Sequence, residues 1–210
     1  MKIFGFPLFL ILAFSHVEAQ VAELTAMGAK KVRIETTNYL NSDTSKSTAI
    51  LYFDSKGNVI KAIKYDAANE PLELWTYSFK YEKSGHIRSS QSKFKDYSKQ
   101  LKPQKFKSVY NYNADGKLVK VENTQNQSGF ECMYDSIGRI KGKNDYNSKG
   151  FFGGSKFFYK DNQVFKQKYE WSNKPPETSE FTYNGMGRRV KAMIYRGQKL
   201  IRKEEYLYFD

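Results

Sequence analysis

The chain has 210 residues, with 35 Lys plus Arg against 22 Asp plus Glu, and its formal net charge of +13 gives it a surface that attracts polyanions. One cysteine, Cys132, rules out an intramolecular disulfide, and two histidines rule out His-rich zinc sites. No Gly-x-Ser-x-Gly, phosphate loop or His-Glu-x-x-His is present, so the familiar hydrolase, nucleotide and zinc-protease motifs are absent.

Residues 1–19 have the layout of a secretory signal: Lys2, an apolar run from Ile3 to Phe14, then Val17-Glu18-Ala19 with small residues three and one before a cut after Ala19. The apolar run carries Pro7 and is about twelve residues long, short of the roughly 20 that span a bilayer. No second long apolar segment follows, so the expected product is secreted or periplasmic, with no transmembrane span. Lys2 and Glu18 leave together and the charge stays at +13, while His16 leaves too, making His86 the one histidine of the mature chain. For an exported basic protein the natural polyanions are acidic glycans and anionic head groups, and no nucleic acid partner is expected. The lysines, among them Lys61, Lys64, Lys166 and Lys168, are spread along the chain as on the wet faces of strands.

Residues 20–47 form an N-terminal segment with a short helix over Val21–Lys30, an opening strand over Val32–Tyr39 and a loop from Asn41 to Ser47. From residue 48 to 210 one unit recurs. Its clearest copies are Phe53-Asp54-Ser55-Lys56-Gly57-Asn58-Val59, Tyr81-Glu82-Lys83-Ser84-Gly85-His86-Ile87, Tyr112-Asn113-Ala114-Asp115-Gly116-Lys117-Leu118 and Tyr134-Asp135-Ser136-Ile137-Gly138-Arg139-Ile140. A fifth begins at Tyr183-Asn184 and carries Gly187, a sixth at Tyr159 has lost its glycine, and Tyr208-Phe209-Asp210 is the stub of a seventh. The aromatics recur every 22 to 31 residues, too irregularly for a strict solenoid. The turn chemistry is explicit. Asp54, Asn113, Asp135 and Asn184 can bond backbone two residues on, and Gly57, Gly85, Gly116, Gly138 and Gly187 supply the left-handed residue that closes a type I turn with a bulge. Strand formers flank each tip, and Tyr195-Arg196-Gly197-Gln198 and Asp66 to Pro71 imply further hairpins.

This unit resembles the YD-repeat, or Rhs-type, family, whose repeats read roughly Tyr-Asp-x-x-Gly-Arg/Lys-Leu; Tyr134 to Ile140 is the nearest match, while Phe53, Glu82 and Asn113 depart from it. The resemblance runs from about residue 48 to the end. It implies antiparallel sheets that curl into shells and contact carbohydrate, although this chain is short for a closed shell. The fold class expected is therefore all-β, an antiparallel meander of repeated hairpins forming a long twisted or curled sheet.

Leu, Ile, Val and Phe supply only about a fifth of the mature chain, so Tyr, Phe and Trp pairs must do much of the packing. In Phe165-Lys166-Gln167-Lys168-Tyr169-Glu170-Trp171 the alternation gives one dry face, with Phe165, Gln167, Tyr169 and Trp171, and one wet face. Cys132 reads as a buried structural thiol. No catalytic residue, metal ligand or cofactor site is identified. The expected function is that of an exported, non-catalytic binding module for an envelope glycan or other polyanion, with Trp75, Trp171 and Tyr169 stacking on sugar rings and Lys166 and Lys168 meeting acidic groups. The alternative is a structural protein that pairs its sheet edge or flat face with another exported protein.

Overall fold

A computed structural model describes residues 29–40, 43–99 and 102–209. The signal peptide expected over residues 1–19 lies outside them, as does the helix expected over Val21–Lys30 except for Ala29 and Lys30, which are not helical. Fourteen strands follow: β1 (Lys31–Leu40), β2 (Asp43–Phe53), β3 (Val59–Tyr65), β4 (Pro71–Tyr81), β5 (Ile87–Asp96), β6 (Gln104–Tyr112), β7 (Leu118–Asn123), β8 (Gly129–Tyr134), β9 (Ile140–Asn147), β10 (Gly150–Lys160), β11 (Gln163–Trp171), β12 (Glu177–Tyr183), β13 (Arg189–Arg196) and β14 (Lys199–Phe209).

The hairpin tips set the register. The Asp54 carboxylate accepts from the N–H groups of Lys56 and Asn58 at 2.9 and 2.8 Å, and Gly57, at φ 79°, donates to the Asp54 carbonyl at 2.9 Å. Asn113, Asp135 and Asn184 accept in the same way at their own tips. At the Asp66 turn Asn69 takes the left-handed place at φ 64°, since a short amide side chain tolerates it. Each motif tip is followed by a bulge. Phe53 faces Val59 and Tyr52 faces Lys61, which leaves Ile60 extra, and the same shift isolates Arg88, Val119, Lys141, Phe165 and Val190.

The ladders between neighbouring hairpins stop short of this rim, and tyrosines bridge the hairpins there. The hydroxyls of Tyr112, Tyr134, Tyr159, Tyr183 and Tyr208 donate to the carbonyls of Ile87, Leu118, Ile140, Val164 and Arg189 in the preceding hairpin, at 2.6 to 3.2 Å. The residue after the turn glycine then covers the next ring. His86 stacks on Tyr112 at 4.6 Å, and the cations of Lys117, Arg139 and Arg188 lie over Tyr134, Tyr159 and Tyr208 at 5.5, 4.4 and 5.3 Å. Phe53 has no hydroxyl to donate; it is buried.

Every strand pairs antiparallel with the next, and β14 returns to β1 from Lys31 opposite Phe209 to Asn38 opposite Arg202. The fold is an all-β antiparallel meander, and the long twisted or curled sheet expected from the sequence is corrected to a closed barrel, which removes the two bare edges an open meander would leave. The loop expected from Asn41 to Ser47 is also corrected. Asp43–Ser47 belong to β2 and pair with β1 as far as Leu40 opposite Asp43, so their polar composition marks a wet hairpin end.

One face of the sheet holds Val32, Leu51, Ala62, Trp75 and Phe94, cross-strand neighbours on β1 to β5, and continues through Ala192, Ile194 and Tyr206. This is the interior. The other face carries Lys61, Lys93, Lys105, Lys120, Lys156, Lys168 and Lys191. Lysines are thus spread over the outer wall, where a bilayer-crossing barrel carries an apolar band.

Candidate functional site: the barrel interior

Eight strands enclose a space that side chains just fill; fourteen enclose more. Alternation along β4 turns Trp75, Tyr77, Phe79 and Tyr81 inward, with successive ring centroids 6.2, 6.5 and 6.5 Å apart. Phe94 of β5 stacks on Trp75 at 4.5 Å and 28°, and Phe106 of β6 lies at 5.8 Å. All four β4 rings are only half-buried, although they point to the inside of a closed barrel. The interior thus has an aromatic wall that the protein's own side chains leave partly uncovered.

Across β9 to β11 the inner wall carries a buried polar group. Lys143 and Tyr169 are each 2% exposed, and Asp145, Ser155 and Gln167 are buried beside them. The Tyr169 hydroxyl donates to the Asp145 carboxylate at 2.6 Å, Gln167 donates to the Ser155 hydroxyl at 2.9 Å, and the Lys143 ammonium lies 4.4 Å from the Phe130 ring centre. Burial pushes Asp145 above the ordinary carboxylate range, with Lys143 pulling the other way. Tyr169 is driven up by its own burial and by the Asp145 charge, so its phenol keeps its proton. Further round, Arg189 packs on Phe181 at 3.8 Å and donates to the Tyr183 hydroxyl, and the Tyr206 hydroxyl donates to Glu204 at 2.6 Å.

The residues read from the sequence divide between the two faces. Trp75 and Trp171 are interior, on β4 and β11, which are seven strands apart either way round a ring of fourteen and so stand on opposite walls. Tyr169 is buried and tilted 54° to Trp171 at 4.2 Å, so no coplanar exposed platform forms. Lys166 and Lys168 project outward, opposite Glu180 and Thr178, away from Tyr169; Lys168 is held by Glu170 at 2.7 Å. Phe165, expected on the dry face, is exposed because the β10–β11 bulge isolates it. Cys132, expected to be buried, is half-buried and faces Lys143 across the β8–β9 pair.

Sequence reasoning missed Lys143 and Asp145. Their strand, Ile140 to Asn147, reads as a wet edge; only its register against Phe130 and Cys132 of β8 places both charges inside. Among the described residues no group of three or more His, Cys, Asp or Glu is arranged to hold a metal ion. No helix there is long and apolar enough to cross a membrane.

No protein-family model matches the chain, and no curated protein matches it in sequence. Among solved structures it is similar to a porin-like protein from Bacteroides uniformis, with 11% identity, a TM-score of 0.49 and coverage of 87% of this chain and 98% of that one. A DUF1329 family protein from Desulfovibrio piger gives 7% identity and 0.39, over 92% and 90%. A LolA superfamily protein from Nitrosomonas europaea gives 9% and 0.37, over 93% and 91%. These likenesses concern the path of the chain.

Proposed function

We propose that this chain is an exported, non-catalytic binding protein that holds an elongated amphiphile inside its barrel, the apolar length along β4 and the polar end toward Lys143 and Arg189. The half-buried inward run Trp75, Tyr77, Phe79 and Tyr81 carries this reading, because apolar rings left partly uncovered in an enclosed space favour an apolar occupant. Phe94 and Phe106 both lie against Trp75, so an apolar chain fits these rings better than a stacked sugar does. Pairing through a sheet edge loses its support too, since β1 is paired to β14 from Lys31 to Asn38. The YD-repeat likeness belongs to the same reading: motif tyrosine, turn residue, glycine and cation each serve the rim that keeps the barrel closed.

Trp75 and Trp171 are the two tryptophans of the chain and report on opposite walls. The exported form is titrated with a medium-chain fatty acid below its micelle concentration and, separately, with a neutral oligosaccharide. The fatty acid is expected to shift tryptophan emission to the blue, with most of the shift lost in Trp75→Phe and none in Lys166→Gln/Lys168→Gln. A response to the sugar alone restores the glycan reading, and silence toward both ends the interior-site reading.

A further inference from the structure

The outer wall is unevenly charged. On most of it lysine and arginine sit beside carboxylates: Lys120 with Glu122 at 2.8 Å, Lys168 with Glu170 at 2.7 Å, Lys203 with Glu205 at 2.9 Å and Arg33 with Glu35 at 3.1 Å. The outward positions of β3 to β6 are different. They hold Lys61, Lys80, Lys93, Lys95, Lys105 and Lys107, all exposed, and no Asp or Glu. Glu73 and Asp96, the carboxylates of these strands, face each other on the interior side, in register with Lys64.

Lys93 stands directly opposite Lys105, an arrangement that destabilises a sheet, and the next outward positions on the same two strands are Lys95 and Lys107. Among the described residues none of these four has a carboxylate partner, so the repulsion is left for a partner outside the fold. The shape of the patch says which partner. One row, Lys61, Thr76, Lys93 and Lys105, runs across four strands, and the others lie above and below it, so the charge covers an area and not a track. Outward Ile63 and Leu74 sit side by side among the lysines, and Tyr97, 41% exposed, ends the wall with the Lys95 ammonium 4.2 Å from its ring centre. Lysine stems on apolar residues with an aromatic at the margin suit the boundary between head groups and acyl chains.

We propose that the outer face of β3 to β6 docks on a bilayer surface rich in anionic phospholipid. This goes beyond the interior site and does not depend on it. Binding rests on ammonium groups meeting lipid phosphates, so it falls as salt screens them.

The test is co-sedimentation of the exported form with phosphatidylcholine vesicles, with and without phosphatidylglycerol, at low and high salt. Two variants lose the same charge: Lys93→Gln/Lys95→Gln/Lys105→Gln/Lys107→Gln on β5 and β6, and Lys156→Gln/Lys166→Gln/Lys168→Gln/Lys191→Gln on the far wall. The wild type is expected to bind only the anionic vesicles and to come off in high salt. The β5–β6 variant is expected to lose at least about tenfold in affinity and the far-wall variant less than about twofold, given roughly equal worth per lysine at the surface. The single change Lys105→Glu, which turns a like-charge pair into an opposite one, should weaken binding while raising the melting temperature. Equal losses in the two quadruple variants, equal binding to neutral vesicles, or binding to a soluble sulfated polysaccharide in place of vesicles would each overturn the proposal.

Discussion

Asp145 lies on an inner wall where water cannot fully solvate it, and its neighbours offset only part of that loss: a hydrogen bond from Tyr169 and the nearby charge of Lys143. Its carboxyl therefore holds a proton more tightly folded than unfolded. For a raised carboxyl the sign is unambiguous. The folded state binds more protons between the unfolded and folded pKa values, so stability is greatest below the ordinary carboxylate range and declines as pH rises through the raised value. Urea midpoints of wild type and Asp145→Asn across acid to neutral pH should diverge there, the wild type losing at most about 1.4 kcal/mol per pH unit relative to the variant. Parallel curves would mean that Asp145 is ordinarily solvated and that the polar wall is not dry. This site was hidden in the sequence because Lys143 and Asp145 flank Asn144 in a strand whose centre, Lys141 to Asp145, has no apolar side chain, and nothing local says that a strand of this kind turns its charges inward.

At the level of the hairpin the sequence was far more legible, because turn chemistry is local. An Asx residue and a glycine three positions on give the tip its shape whatever the rest of the chain does. The bulge was not legible in the same way. It appears only when two strands are aligned, and it moves the following residues to the other face, which is why Phe165 is outside while Gln167 and Tyr169 are inside. The role of the motif tyrosine was equally hidden, since its partner is a carbonyl in the neighbouring hairpin. Tyr134→Phe removes the 2.7 Å bond to the Leu118 carbonyl and little else, so it should cost about 1–2 kcal/mol in chemical denaturation, the worth of a bond whose acceptor is left without its donor. Tyr65→Phe, at a position with no such rung, should change stability by less than about 0.5 kcal/mol. If the two variants behave alike, the tyrosines are ring packing and the rungs contribute nothing.

Closure is a property of the whole sheet that no single hairpin encodes. Each unit specifies a tip, a bulge and a rung to its neighbour; the added twist and tilt of fourteen strands then bring β14 beside β1. A chain poor in aliphatics and rich in Tyr and Phe fits the result, because an enclosed space lined by rings needs no thick aliphatic centre. Closure also places Lys31 directly opposite Phe209, with Lys30 donating its N–H to the Phe209 carbonyl at 3.2 Å. The two ends of the described fold can therefore be joined by a linker of about four residues, which reaches roughly 14 Å. In an open meander the same ends would be separated by thirteen strand spacings of about 4.8 Å, roughly 60 Å, beyond any such linker. A circular permutant that starts at Gly129, crosses the linker from β14 to β1 and ends in the Thr124–Ser128 link should be monomeric on gel filtration, with the far-ultraviolet spectrum of the parent. It should also keep the tryptophan response to fatty acid, since β4 and β11 retain their places in the ring. A permutant that folds only as linked pairs or higher assemblies would show that the first and last strands meet across molecules, and the interior described above would then belong to no single chain.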